Sequence, residues 1–203
     1  MKAAAIILSG GKSSRMGTNK ALLKINDKTN IERIADSLKP HFDDIILVTN
    51  DPEQYRFLGL KMVEDHFLDK GPLAGIHAGL AASDYETNFT IACDMPFVSG
   101  ELARALVNMG RNYDAVVPII NGRLQTLFAV FKKKVTTEIE QCIESGRLPI
   151  KHLLEHLNVL YVTEKDLSLD NSNIDLERVF FNMNHPNEYQ EAKKWAAEDQ
   201  GRK

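Results

Sequence analysis

The chain has 203 residues, 43% hydrophobic and 26% charged, with a formal net charge of −3; this is the composition of an ordinary globular fold long enough to bury a sizeable core, and residues 1–203 read as a single domain. A near-balanced charge gives no basic field for nucleic acid, and no apolar stretch is long enough to span a bilayer, so neither nucleic acid nor membrane is an expected partner. Met1-Lys2 leads into a strand-length apolar run without a small-residue cleavage pattern, and Cys93 and Cys142 have no framework spacing; a cytoplasmic protein with reduced thiols is expected.

Ala3–Leu8 is an apolar run of strand length, followed at once by Leu8-Ser9-Gly10-Gly11-Lys12-Ser13-Ser14-Arg15-Met16-Gly17-Thr18-Asn19-Lys20. Paired glycines allow a sharp turn and close approach of backbone to a ligand, and backbone N–H groups in such a turn can cradle phosphate oxygens. Lys12, Arg15 and Lys20 add cations in the same stretch. The segment is not a P-loop, because the leading glycine of G-x-x-x-x-G-K-[ST] would fall at Ile6, and Lys12 breaks the dinucleotide pattern G-x-G-x-x-G. Two readings stand at this point: an anion site, or a strand-to-helix loop with solvated charges.

Further along, Thr29–Leu38 is predicted to be a helix. Ile31, Ile34, Ala35 and Leu38 recur at helical spacing, and Thr29 with Glu32 has the spacing of a capping box. Ile45–Thr49 and Met62–Glu64 read as strands, Pro72–Ala82 as a helix, Phe89–Cys93 as a strand, and Ser99–Met109 as a helix capped by Ser99. Strands at Val116–Ile120 and Leu127–Phe131 precede helices at Val135–Glu144 and Pro149–Leu157. Val159–Val162 and Val179–Asn182 read as extended, Asp166–Asp175 as an exposed polar loop, and Pro186–Ala197 as a closing helix. This alternation predicts an α/β fold: a Rossmann-like, doubly wound, mostly parallel sheet with helices on both faces. Ligands bind such sheets outside the carboxyl ends of the strands.

Two acidic residues fall at strand ends. Asp94, in Cys93-Asp94-Met95-Pro96, is placed either to hold Mg²⁺ together with substrate phosphates or to satisfy loop N–H groups. Asp65 is either a solvated loop carboxylate or a selector for guanine, whose N1–H and 2-amino group are both donors. Gly71-Pro72-Leu73-Ala74-Gly75 reads locally as a turn that starts a helix. His152-Leu153-Leu154-Glu155-His156 matches the inverted zinc-protease pattern H-x-x-E-H. Its histidines, however, lie opposite the apolar stripe Ile150, Leu153, Leu154 and Leu157, so a zinc site is not expected.

Leu8–Lys20 resembles the signature L-[AS]-G-G-x-S-x-R-M-G-x-x-K of the molybdenum cofactor guanylyltransferases, within the wider nucleotidyltransferases. Cys93-Asp94-Met95-Pro96 resembles the strand-end Asp-x-Pro whose aspartate ligates the metal, and Gly71–Gly75 resembles G-P-L-x-G. Gly122-Arg123-Leu124-Gln125-Thr126-Leu127-Phe128-Ala129 is similar to G-R-x-Q-P-L-F-A, with Thr126 where proline is usual. Asn182-Met183-Asn184-His185-Pro186 is similar to N-x-N-x-P, although the bottom-up reading of Asn184 favours a cap for the Pro186 helix. The resemblance implies transfer of GMP from GTP to molybdenum-loaded molybdopterin, with Mg²⁺ held by Asp94. It implies catalytic roles for Arg15, Lys20 and Asp94, and nucleotide contacts from Leu8, Ser9, Gly10, Gly11, Lys20, Asp65, Gly71, Pro72, Leu73 and Asp94. Molybdoenzymes and other cofactor-synthesis proteins are candidate protein partners, and the chain is read as a monomer. The competing readings are a CTP-using or a sugar- or polyol-phosphate nucleotidyltransferase, and a non-catalytic GTP-binding carrier of the cofactor.

Overall fold

A computed structural model describes residues 1–10, 19–170 and 174–201. In chain order the elements are β1 (Ala4–Leu8), β2 (Lys24–Ile25), β3 (Lys28–Thr29), α1 (Asn30–Leu38), β4 (Asp44–Val48), β5 (Lys61–Val63), α2 (Pro72–Ala82), β6 (Thr87–Ala92) and α3 (Gly100–Met109). They continue as β7 (Ala115–Ile120), β8 (Arg123–Leu124), β9 (Phe128–Lys132), α4 (Thr136–Glu144), α5 (Ile150–Leu154), β10 (Val159–Thr163), α6 (Glu164–Asp170), α7 (Leu176–Val179) and α8 (Pro186–Gly201).

The main sheet has the strand order β10-β7-β9-β6-β1-β4-β5, with β8 paired to β7. Strand β1 runs parallel to both β4 and β6, β4 runs parallel to β5, and β7 runs parallel to β10; β9 is antiparallel to its two neighbours, and β8 to β7. The sheet is therefore mostly parallel and doubly wound, as expected. From β1 the chain winds outward through β4 and β5, then returns to lay β6 on the other side of β1. This reversal is the topological switch point, where a crevice opens beyond the carboxyl ends of the strands.

Burial on both faces explains the unbroken apolar runs. In β1, Ala5 and Ile7 join one core cluster and Ala4, Ile6 and Leu8 the other; in β4, Ile45 and Leu47 oppose Ile46 and Val48 in the same way. The first cluster lies under α1 and α3, and the second under α2, α4 and α5. Helix α1 forms with the reciprocal cap read from its sequence: the Thr29 N–H donates to Glu32 Oε2 at 2.7 Å, and the Glu32 N–H to Thr29 Oγ1 at 3.4 Å. Ser99 caps α3 by accepting from the Leu102 N–H at 3.1 Å. Helix α2 buries Leu73, Ala74, Gly75, Ile76, His77, Ala78, Gly79 and Leu80 in one continuous stretch. Its small residues let it press onto the sheet, and a Cβ on Gly79 would stand 2.4 Å from Ile6 Cγ2.

Two sequence expectations are corrected. The first part of the expected polar loop Asp166–Asp175 belongs to α6 (Glu164–Asp170), because Thr163 and Asp166 cap its start: the Thr163 N–H and hydroxyl donate to Asp166 Oδ2 at 2.8 and 2.6 Å. Val179–Asn182 is not a strand. Asp175 caps the helical turn α7 through the Arg178 N–H at 3.2 Å, and in the irregular chain beyond it the Met183 N–H donates to Asp94 O at 2.8 Å instead of to a sheet neighbour. Helix α5 is also shorter than the stretch Pro149–Leu157 read from periodicity. Among the described residues, no helix is long and apolar enough to cross a membrane.

Candidate active site

Because β1, β4, β5 and β6 are mutually parallel, the residues after each emerge at one edge of the sheet. Leu8 and Ala92 are register partners, so Ser9 and Cys93 leave the sheet side by side at the switch point. The exits are stitched together by backbone bonds. The Ser9 N–H donates to Val48 O at 2.9 Å, the Cys93 N–H to Leu8 O at 3.0 Å, and the Thr49 N–H to Val63 O at 2.9 Å. Ser9 is buried, whereas among the described residues no atom lies within 4 Å of where a Cβ on Gly10 would sit. Gly11, Lys12 and Arg15 lie outside the described residues.

Asp94 sits at this exit with its main chain fixed: its carbonyl accepts from the Met183 N–H at 2.8 Å, and the carbonyl of Cys93 accepts from the Asn30 side-chain amide at 2.6 Å. Its carboxyl Oδ1 is buried and has no hydrogen-bond partner among the described residues. Burial pushes the Asp94 carboxyl above the usual carboxylate range, while the positive charge of Lys20 pulls the other way. Lys20 opens a short 3₁₀ turn, and its Nζ donates to Asn184 Oδ1 at 3.0 Å. The segment 182–186 therefore reaches the site from α8's side of the fold. Asn184 is not the simple helix cap that local reading favoured, since its side chain receives Lys20. Its backbone N–H and that of His185 are instead taken by Glu188 Oε2, the latter at 2.8 Å. The Asn182 amide turns back to Phe180 O at 3.1 Å.

A buried carboxylate oxygen without a donor, set beside a lysine, fits a hard cation. Mg²⁺ commonly takes one or two protein carboxylates and fills its remaining positions with water and substrate phosphate. No group of three or more metal-ligating side chains is found among the described residues. The two histidines of H-x-x-E-H face away from the buried Ile150, Leu153 and Leu154. His152 Nδ1 lies 3.4 Å from Glu155, and His156 Nε2 lies 3.2 Å from Arg147 Nη1.

Asp65 follows β5 at the same edge. Its N–H donates to Asn50 Oδ1 at 3.0 Å, and its own Oδ1 is buried without a partner among the described residues. Burial raises its pKa, opposed by the Asn50 bond. Gly75 packs beside this carboxyl: a Cβ there would lie 3.3 Å from Leu8 Cδ2 and, in ordinary contact, 3.6 Å from Asp65 Oδ1. Gly71 (φ 69°, ψ −158°) occupies backbone space closed to other residues and hands the chain to Pro72 at the first turn of α2. Leu73, by contrast, is fully buried in the core. The Arg123–Thr126 segment follows β7 through Asn121 and Gly122, both at positive φ, and Gln125 is held by its N–H to Pro118 O at 2.9 Å. Sequence reading missed Asn19, Asn30, Asn50, Tyr55 and Glu188. Only Asn19, a cap-type residue ahead of Lys20, carried a local signal.

Residues 5–160 match the model of the MobA-like NTP transferase domain. A probable molybdenum cofactor guanylyltransferase of Pelotomaculum thermopropionicum is 36% identical over 193 residues, covering 95% of this chain and 93% of that protein. Among solved structures, the molybdopterin-guanine dinucleotide biosynthesis protein A of Archaeoglobus fulgidus superposes with a TM-score of 0.81 at 27% identity, over 96% of this chain and 99% of that one. The 2-C-methyl-D-erythritol 4-phosphate cytidylyltransferase of Thermus thermophilus, at 16% identity and a TM-score of 0.72 over 97% of this chain and all of that one, shares the fold. With the family model spanning most of the chain and a curated relative aligned along nearly its whole length, the chain belongs to the MobA-like NTP transferases.

Proposed function

We propose that this protein is a molybdenum cofactor guanylyltransferase, with residues 1–203 acting as one nucleotidyltransferase domain in the cytoplasm and as a monomer. It transfers GMP from GTP to the terminal phosphate of molybdenum-loaded molybdopterin and releases pyrophosphate. A phosphate oxygen of the acceptor forms a bond to the α-phosphorus of GTP, and the bond from that phosphorus to the β-bridging oxygen breaks in line. The acceptor phosphate is already ionised and needs no general base, so catalysis consists of positioning and charge stabilisation.

The observation that carries this reading is the buried, unpartnered Oδ1 of Asp94 next to the charge of Lys20 at the switch point. Asp94 would hold Mg²⁺, whose chemistry there is neutralisation of phosphate charge. Lys20, positioned by Asn184, and Arg15 neutralise the triphosphate and the departing pyrophosphate. Leu8, Ser9, Gly10 and Gly11 lend backbone to the nucleotide, as do Gly71, Pro72 and Leu73. Asp65 accepts from the N1–H and 2-amino group of guanine, donors that its unpaired buried oxygen can satisfy. Molybdoenzymes or other cofactor-synthesis proteins receive the product. Incubation with each of the four nucleoside triphosphates, Mg²⁺ and molybdenum-loaded molybdopterin tests the reading. Pyrophosphate release and dinucleotide formation are expected with GTP alone. A preference for CTP, or turnover only with a sugar or polyol phosphate, overturns the assignment within the family, and GTP binding without turnover makes the protein a carrier.

A further inference from the structure

The glycine-rich segment enters the site at Ser9 and its described continuation resumes at Asn19. Both residues meet a single side chain from elsewhere in the fold, Tyr55. It lies on the 3₁₀ turn Pro52–Leu58 between β4 and β5, and it is 2% exposed, with its ring in the core beneath α1. Its hydroxyl lies 2.7 Å from Ser9 Oγ and receives the Asn19 side-chain amide at 2.8 Å. A phenol has one proton to give, and Asn19 can only donate to it through Nδ2. The Tyr55 proton is thus available to Ser9, and both capacities of the hydroxyl are used.

The consequence reaches Lys20. Asn19 Nδ2 also donates to Gln54 Oε1 at 3.1 Å, so two acceptors on the 52–58 turn fix which way its amide faces. With Nδ2 so directed, Oδ1 points at the Ala21 N–H, 3.1 Å away, and caps the turn that begins with Lys20. Ser9, on the other stem, is anchored by its backbone to β4. The Tyr55 hydroxyl is the shared point through which the separation of the two stems is set.

We infer that Tyr55 is a positioning residue for guanylyl transfer: its hydroxyl clamps Ser9 to Asn19 and so fixes Lys20 relative to the phosphate-binding backbone at the end of β1. It touches neither substrate nor reacting atoms, and the inference rests on the guanylyltransferase reading for its kinetic consequence. A displacement of the order of 1 Å in a charge-stabilising group costs up to about a hundredfold in rate. Tyr55→Phe keeps the ring in the core and removes only the clamp. The expected result is a fall in kcat of about tenfold or more, with KM for GTP within about threefold and a melting temperature close to wild type.

Asn19→Ser supplies a second variant, because serine still caps the Lys20 turn but is too short to reach Tyr55. It should lower kcat similarly, and the double variant should be no worse than the more damaged single one, since both break one linkage. Unchanged kcat in either single variant, or additive losses in the double, overturns the inference. Amide hydrogen exchange separates this outcome from failure of the functional reading. Even if the wild type transfers no nucleotide, Tyr55→Phe should speed exchange at Ser9 and Lys20–Leu22 and leave β6 protected. Unaltered exchange at those amides removes the clamp itself.

Discussion

Asp94 and Asp65 have in common a buried carboxylate oxygen that has no partner among the described residues, a costly arrangement unless a ligand completes it. Asp94→Asn keeps the shape and removes the charge. Turnover should fall at least about a hundredfold, as for loss of a principal electrostatic stabiliser. Because burial opposes ionisation at this position, the same variant should melt no lower than wild type in metal-free buffer. Steady-state kinetics at saturating Mg²⁺ paired with calorimetry checks both halves, and near-normal turnover removes Asp94 from the metal site. At Asp65, replacement by asparagine sets a donor against a donor of guanine. It should cost about 2–4 kcal/mol in kcat/KM for GTP. ITP, which lacks the 2-amino group, should be a poorer substrate than GTP for wild type and less so for the variant. An unchanged GTP-to-ITP ratio assigns base selection elsewhere, with the Gly71–Gly75 backbone the leading candidate.

Elements position these side chains, and some elements sit closer together than any side chain would allow. At the start of α3, a Cβ on Gly100 would fall 2.2 Å from Ser37 O and 2.4 Å from His41 Cδ2. The backbone carbonyl cannot give way as a flexible side chain would. Ser37, on α1, also donates to Val98 O at 2.7 Å, so α1 and the approach to α3 are locked at the same place. Gly100→Ala should destabilise the fold by about 1–3 kcal/mol, the usual cost of overpacking. Chemical denaturation measures this through a lower midpoint with unchanged slope; a neutral result means that the two helices can part without loss. The helices themselves were readable wherever cap and stripe agreed, as at Thr29 with Glu32 and at Ser99. They were misread where a short polar stretch hid its cap, as at Thr163 with Asp166.

At the scale of the whole molecule, charge pairs also tie the sheet together at the edge opposite the candidate site. At the edge away from the site, Asp114 precedes β7; its Oδ1 lies 2.6 Å from Lys134 Nζ, and its Oδ2 accepts from the Asn158 N–H, at the start of β10, at 3.0 Å. These contacts, the Lys134 hydrogen bond foremost, hold its carboxyl below the usual carboxylate range. A carboxyl depressed in the folded state stabilises the protein above its unfolded pKa, and the contribution is lost as pH falls through the folded value. Asp114→Asn should therefore cost no more than about 1 kcal/mol at neutral pH, since the pair is largely solvent-screened. The gap from wild type should close as pH drops below the normal carboxylate range, and kcat should not move. Thermal melts across pH check the sign, and a gap that widens in acid contradicts it.

The sequence alone determined the layered α/β architecture, because strands buried on both faces must be apolar throughout and the helices between them must carry one apolar stripe. It also offered candidate segments for phosphate contact, since paired glycines behind a strand and carboxylates at strand ends are properties of neighbouring residues. Only the tertiary structure decided how those segments meet. It brought Lys20 to Asn184 across most of the chain's length and Met183 back to Asp94, left Asp65 and Asp94 each with an oxygen unpaired among the described residues, and put Tyr55 between Ser9 and Asn19. Such contacts join residues far apart in the chain through side chains with many other possible partners. Periodicity and spacing carry no record of them, and the parallel strand exits select among them.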